Sequence, residues 1–320
     1  MATQTTNGKA FEFALIEEFF NRLKQITNVL LIDNEPLKTA SKCFENFNEN
    51  DKDSYRLNAS FAVNFLLDIE PRLANQLNED DLLKLEIVAD KKGQSGDVRD
   101  VLAIRSSQNW EIGISAKNNH RAVKHSRLSN DINFGEKWLG ISSSAEYFTA
   151  IKPIFDELDQ LRTNSKATKK WSSLEDYHTT VYVPVLTAFK NELQKLDEQN
   201  PTLIASRLVE YLIGKQDFYK VIKGKNKVEI QAYNLHGTLN LPFGSVKPKA
   251  KVSKLKLPTR LIEIVFQENS KTTLLVTLNE GWQISFRIHS ASSRIEPSLK
   301  FDINLISSPH TLFVNQLLLG

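Results

Sequence analysis

A single cysteine, Cys43, stands in the 320 residues, which rules out an intrachain disulfide and any cysteine-rich zinc site. That fits a reducing cytoplasm, where the chain is expected to work. No apolar run approaches the roughly 18 residues that a membrane span needs, and the polar residues after Met1 do not form a charged-then-apolar leader. Neither a membrane segment nor a signal peptide is therefore expected. The six histidines (His120, His125, His178, His236, His289 and His310) include one close pair, so zinc-type spacing is lacking. Also missing are a glycine-rich phosphate loop, a dinucleotide fingerprint, an internal repeat and a low-complexity tract.

What remains is ordinary in bulk. With 41% hydrophobic and 25% charged residues, a chain of this length buries a sizeable core, as one large domain or two unequal ones. The net charge of +3 says little, but its distribution says more. Residues 1–90 hold 16 acidic against 9 basic residues, whereas residues 215–260 hold eleven Lys or Arg against Asp217 and Glu229. The basic excess suggests a surface that faces a polyanion; a flexible solvated loop is the plainer alternative. Lys247–Arg260, with Pro248 and Pro258, reads as a mobile clamp that orders on nucleic acid.

Apolar residues at 11, 15, 16, 19, 20, 23 and 26 predict an amphipathic helix over 11–27. A second helix is expected over 58–77, kinked or split by Pro71. Asn78–Asp81 before Leu82 reads as an acidic helix start, with Gly93 as its stop. From Val98 the period changes. Val101–Ile104 is a short buried strand, 106–109 a turn, and Trp110–Lys117 the next strand. Helices are expected over 147–161, 179–196 and 202–222, the last starting after Pro201, with an exposed linker over 163–170. The final third reads as β: 227–233, 261–267, 272–278, 282–289 and 299–306, with a hairpin turn at 279–281.

The informative stretch is Asp97 to Arg127. Residues two apart on a strand share a face, so Glu111, Gly113, Ser115 and Lys117 point one way. A lysine closing an otherwise buried strand is costly unless it is paired or employed, and desolvation lowers its pKa toward managing a proton on water; snorkelling to solvent is the bland alternative. Gly113 leaves room on that face for another chain or a substrate. Asp97 and Asp100 precede the first buried strand, and Mg2+ binds through one or two carboxylates, waters and phosphate oxygens. Asp100, next to the apolar run, is the preferred ligand, while Asp97 suits capping a turn or pairing with Arg99. In the basic segment after Lys117, His120, Arg121, Lys124, His125 and Arg127 suit phosphates, unless they form a solvated helical face. Asn118 and Asn119 are either nucleic-acid contacts or helix caps. Acid, lysine and cations in this order point to metal-dependent phosphodiester hydrolysis.

An Asp opening one strand and Glu/Asp-X-Lys closing the next resembles the PD-(D/E)XK nuclease superfamily, with Asp100 and Lys117 in those places and Ser115 where the second acid usually stands. The resemblance puts the missing carboxylate elsewhere: Asp131 or Glu136 from a following helix, Glu111 on the same strand, or Glu70 or Glu86 from an earlier helix. Longer runs are similar to the HaeIII-type restriction endonucleases: Gly96–Val101, Trp110–Asn118, Val123–Leu128, Phe134–Trp138, Trp282–His289 and Glu296–Asp302. They extend from about residue 90 to nearly the last residue.

That resemblance implies an α/β (α+β) fold with a restriction-endonuclease-like central mixed sheet flanked by helices and a β-rich C-terminal region. Residues 1–222 would carry the helices and the chemistry, and 223–320 the DNA recognition. It implies Mg2+-dependent cleavage of double-stranded DNA at GGCC, between the central G and C, leaving blunt ends. Asp100, the Ala116 main-chain carbonyl and a second carboxylate would hold the metal. Lys117 would orient or deprotonate the attacking water, with Asp97 and Glu111 as further catalytic candidates. Guanine O6 and N7 call for Arg donors and cytosine N4 for an acid. Arg287, His289, Arg294 and Lys300 are the candidates, with phosphate contact alone as the alternative. A cognate DNA methyltransferase is the expected functional partner. A palindromic site suits a homodimer, or a monomer that nicks each strand in turn. Two other readings stand beside this one: a structure-specific or repair nuclease, and an inactive DNA-binding protein on the same scaffold.

Overall fold

Phe11, Leu15, Ile16, Phe19 and Leu23 recur at helical spacing, and helix α1 (Gln4–Leu23) buries all five completely. The structure is a computed structural model that describes residues 4–89, 97–119, 123–163 and 169–319. It divides into two compact units. One comprises Met1–Arg121, Gly214–Lys256 and Thr311–Gly320, the other Ala122–Ile213 and Leu257–His310, so both draw on chain from either side of residue 222.

The first unit is built on a seven-stranded mixed sheet. Its strands are β1 (Val29–Leu31), β2 (Leu83–Ile87), β3 (Val101–Arg105), β4 (Trp110–Asn118), β6 (Phe218–Lys223), β7 (Lys227–Tyr233) and β12 (Phe313–Leu318), hydrogen-bonded in that order. β1 and β2 are parallel, as are β4 and β6, and the other neighbours are antiparallel. Helices α1, α2 (Glu35–Glu45) and α3 (Glu49–Ile69) bury their apolar faces in one core with Leu85, Val101, Ala103, Ile112, Ile114 and Val221 of the sheet. Asn34 and Asn48 start α2 and α3 by accepting from the backbone amides of Leu37 and Asp51, the usual service of an Asn N-cap. α3 stops at Ile69, and Pro71 opens a separate turn of helix, α4 (Pro71–Ala74), so the proline splits the expected helix.

Three segments depart from the sequence expectations. Residues 83–87 form a strand rather than a helix: Leu83, Leu85 and Ile87 are buried and alternate with Lys84 and Glu86. The acidic run before it is a turn, because Asp81 turns inward to accept from the Leu77 amide, Gln108 and Ser107 beside the fully buried Arg105. Gly93, the expected stop, lies outside the described residues. The helix expected to reach 222 ends at Ile213, where Gly214 takes φ +91°. The chain then enters β6, buried at every position including Lys220 and Lys223, and a strand buried on both faces carries no period that separates it from a helix. Finally, 247–256 is extended and fastened down rather than free. Val252 and Leu255 are buried, and the amides of Lys249, Val252 and Leu255 donate to Asp68, Asn240 and Asn234, while Lys247, Lys251, Lys254 and Lys256 stay exposed.

The second unit carries a five-stranded antiparallel sheet in the order β5 (Lys124–Leu128), β11 (Leu299–Ser307), β10 (Gln283–His289), β9 (Thr273–Leu278) and β8 (Leu261–Phe266). Helices α5 (Ala145–Thr163), α6 (Val183–Gln199) and α7 (Ile204–Ile213) complete it. Phe286 and Phe301 on the sheet meet Phe189 of α6 at ring distances of 5.5 and 5.2 Å. Lys124–Leu128 of the basic segment, for which a solvated helical face was the alternative to phosphate contact, is β5, an edge strand with Ser126 and Leu128 inward. Part of the expected linker, 164–168, lies outside the described residues. Among the described residues no helix is long and apolar enough to cross a membrane.

Glu70, at the end of α3, is fully buried and accepts from Tyr219 Oη at 2.6 Å and the Asn240 amide at 2.5 Å. Burial lifts its carboxyl from 4.5 to about 7 against those two donors. A folded pKa above the unfolded one means that the associated stability is complete below about pH 4.5 and lost as the pH rises through about 7. Glu70→Gln should therefore flatten the decline of melting temperature across that window. Parallel wild-type and variant curves would show that Glu70 contributes nothing to it.

Candidate active site

Asp100 ends the loop that leads into β3, and its backbone is locked in register on both sides. Its amide donates to the Ile114 carbonyl and its own carbonyl accepts from the Val88 amide, each at 2.9 Å. The side chain then reaches β4. Asp100 Oδ2 accepts from Ser115 Oγ at 3.2 Å, the Ala116 amide at 2.7 Å and Lys117 Nζ at 3.1 Å. Lys117 and Asp100 side chains remain 30% and 24% exposed, so the pair is open to a ligand. Ser115 points its hydroxyl at this carboxylate, where an acidic side chain would put two like charges in contact.

A second buried acid, which the sequence pattern did not single out, feels the charge of this pair. Glu12 lies on the buried side of α1, only 6% exposed, with Lys9 Nζ at 2.9 Å. Its carboxyl is raised from 4.5 to about 7, first by burial and then by the negative charge of Asp100, while Lys9 and Lys117 pull it down. Glu12 thus shares an electrostatic neighbourhood with both Asp100 and Lys117. The signal was present in the chain: Glu12 sits on the apolar stripe of α1, with Leu15, Ile16 and Phe19 at i+3, i+4 and i+7. A charge on a buried face is costly without a purpose.

The other candidate acids have different surroundings. Asp97 and Glu111 both grip Arg99: Asp97 Oδ1 lies 2.8 Å from Nε, and Glu111 Oε1 lies 2.6 Å from Nη1. Glu111 pairs with Ile104 near the start of β4, about 13 Å of strand before Ser115. Glu70 is held by Tyr219 and Asn240. Glu86 is half-buried on β2 opposite Leu102. Asp131 and Glu136 belong to the second unit, where Glu136 accepts from Asn133 Nδ2 at 3.3 Å and the Asp131 amide donates to Ser129 Oγ at 3.2 Å. Among the described residues no group of three or more His, Cys, Asp or Glu gathers for a metal. Asp100 and Glu12, which interact electrostatically, are nevertheless hard oxygen donors, a chemistry that fits a hard cation such as Mg2+ that keeps several waters and binds phosphate as well.

Of the proposed DNA contacts, Asn118 ends β4, and Asn119 takes φ +53° while its amide donates to the Lys223 carbonyl at 2.9 Å. Asn118 thus closes the strand and Asn119 forms a bend. His120 and Arg121 lie outside the described residues. Lys124 is engaged within its unit: Nζ donates to the Tyr211 carbonyl at 2.8 Å and lies 3.7 Å from the centre of that ring, and burial lowers its pKa to about 8. His125, Arg127, Arg287, His289 and Lys300 share one face of the five-stranded sheet, because Arg287 pairs with Asp302 and Asp302 with His125, one row beside His289, Lys300 and Arg127. Arg294 is exposed in the loop between β10 and β11.

The space over Gly113 is filled by this chain itself. A Cβ there would fall 2.0 Å from Cδ of Arg99, which crosses the strand to reach Glu111. Gly113→Ala should displace Arg99, strand two carboxylates and destabilise the protein by about 1–3 kcal/mol. A denaturant midpoint equal to wild type would refute that packing.

The family model for HaeIII restriction endonuclease matches residues 8–309. The type II restriction enzyme HaeIII of Haemophilus aegyptius is 42% identical over 308 residues, covering 96% of this chain and 95% of that protein. No solved structure matches the chain. The match spans α1 with Glu12, the Asp100 and Lys117 strands and the C-terminal sheet alike, and the chain therefore belongs to the HaeIII restriction endonuclease family, as a type II site-specific deoxyribonuclease.

Proposed function

We propose that this endonuclease hydrolyses duplex DNA at GGCC, between the central G and C, in a Mg2+-dependent reaction that leaves blunt ends. The observation that carries the chemistry is the 3.1 Å pairing of Lys117 with Asp100 in the electrostatic company of Glu12. The choice of GGCC rests on likeness to the HaeIII enzyme over 96% of the chain.

In this reading Asp100, Glu12 and the Ala116 main-chain carbonyl hold Mg2+. When bound, the metal supplies Lewis-acid polarisation of the scissile phosphate and lowers the pKa of water. Lys117 is anchored by Asp100 and presents its ammonium beside the phosphate, orienting the attacking water and offsetting charge that develops on the phosphate oxygens. The Ser115 hydroxyl and the Ala116 amide fix the rotamer of Asp100 from the neighbouring strand. Asn118, Asn119 and the exposed lysines of 247–256 contact the DNA backbone, as Arg127 and Arg294 do in the second unit. The enzyme works in the cytoplasm of a cell whose DNA is protected by a methyltransferase of matching specificity, and a homodimer suits the palindrome. The readings as a repair nuclease or a silent DNA binder have no observation in their favour. The silent binder was motivated by the missing acid at 115, and Glu12 offers a carboxylate in its stead.

Asp100→Ala, Lys117→Ala and Glu12→Gln should each lower Mg2+-dependent cleavage of GGCC-bearing plasmid by about a hundredfold or more, with a DNA gel shift retained without metal. Cutting near the wild-type rate by Glu12→Gln would remove α1 from the metal site. The same result for both other variants would remove the site altogether.

A further inference from the structure

On the solvent face of the second unit's sheet, one carboxylate sits among an arginine and two histidines, a pattern that a simple phosphate-binding patch would avoid. Asp302, in the middle strand of three, is flanked by its cross-strand partners Arg287 and His125. Arg287 Nη2 lies 2.5 Å from Oδ2, while His125 Nδ1 and His289 Nε2 lie 2.8 and 3.2 Å from Oδ1. The carboxylate is the least exposed of the four, at 20%, and Arg287 the most, at 57%. Burial alone would raise the Asp302 carboxyl, but the Arg287 hydrogen bond and the two histidines outweigh it and hold it below its usual value.

A central carboxylate cancels charge and repels phosphate, so this row is poorly made for the DNA backbone. It is well made for base edges, which are uncharged and read by directed hydrogen bonds. An arginine tethered through one terminal nitrogen keeps the remaining N–H groups of its planar fork, in a fixed plane, for guanine O6 and N7. In the adjacent row, His289 and Lys300 add donors on the same face.

We propose that Arg287 reads a guanine of the recognition sequence and that Asp302 is its positioning residue, holding the guanidinium and the His125 and His289 rings for the major groove. This rests on the reading of the protein as a GGCC endonuclease. Asp302 touches no reacting atom; it acts through Arg287, so losing either residue loosens discrimination at the same base pair.

The test uses the full-length protein with Mg2+ on short duplexes carrying GGCC or each single-pair change of it. Variants are Asp302→Asn, Asp302→Ala and Arg287→Lys, the last keeping the charge but losing the fork. The ratio of kcat/KM for GGCC over one particular changed duplex should fall by about tenfold or more in all three variants. For Arg287→Lys, affinity for a site-free duplex and its salt dependence should stay as in wild type. An equal loss on every duplex, or an unchanged ratio in variants that cut, overturns the proposal and assigns Asp302 to sheet stability alone. Should the Asp302 variants fail to fold, Arg287→Lys at its exposed position decides: an unaltered ratio overturns the proposal. Wild-type protein that leaves the GGCC duplex intact while cutting elsewhere or not at all overturns the functional reading itself, and this inference with it.

Discussion

One carboxylate oxygen organises the strand pair at the candidate site. Asp100 Oδ2 collects donors from three successive residues of the neighbouring strand: a hydroxyl, a backbone amide and an ammonium. That geometry exists only because β3 and β4 pair antiparallel with Val101 opposite Ile114, which sets the Asp100 side chain against Ser115 to Lys117. A slip by one residue would turn every side chain of the strand to the other face. The register is secured by apolar burial on both strands and by Arg105, whose guanidinium donates to carbonyls of Arg72, Leu73 and Asp81 and ties β3 to the chain around α4.

Glu12 adds a second acid to that neighbourhood at a real cost. Burial disfavours its charged form, and Asp100 repels it. Two acids that raise each other's energy are relieved when a cation enters. The helix can sustain that tension because its other buried positions, from Phe11 to Leu23, are apolar and fully packed. Stability is thus stored in the core of α1 and drawn down at a single position.

The two sheets handle charge differently. In the first unit a partly accessible lysine pairs with one carboxylate, and a buried second carboxylate feels the charge of both. In the second, Arg287, His125 and His289 converge on Asp302, so one carboxylate orients a guanidinium and two rings. The first arrangement suits stabilising charge that develops during a reaction. The second suits distinguishing one uncharged base edge from another.

Much of this was legible in the amino-acid order. The amphipathic period of α1, the apolar run of β3, the strand from Trp110 to Asn118 and four of the strands after 260 were readable, because each buries one face or is short and continuous, although α1 runs over Gln4–Leu23 rather than 11–27 and Phe313–Leu318 was not expected. Asp100 and Lys117 stood out for the same reason: charges at the ends of buried strands. β2, β6 and β5 were not legible. Leu83–Ile87 is too short to outweigh the acidic turn before it, Phe218–Lys223 is buried on both faces and so has no informative period, and Lys124–Leu128 gains its strand character from pairing with residues 299–303, far along the chain. Glu12 carried a local sign, a charge on an apolar stripe, but nothing in its own neighbourhood says which acid it will meet. The sequence by itself determined the apolar faces of the longer elements and the two charged residues that begin and end the central strand pair, since these depend on interactions a few residues long. Only the tertiary structure decided that residue 12 feels the charges of residues 100 and 117, and that residues 125, 287, 289 and 302 share a surface, since strand order and helix packing bring together groups that chain connectivity leaves far apart.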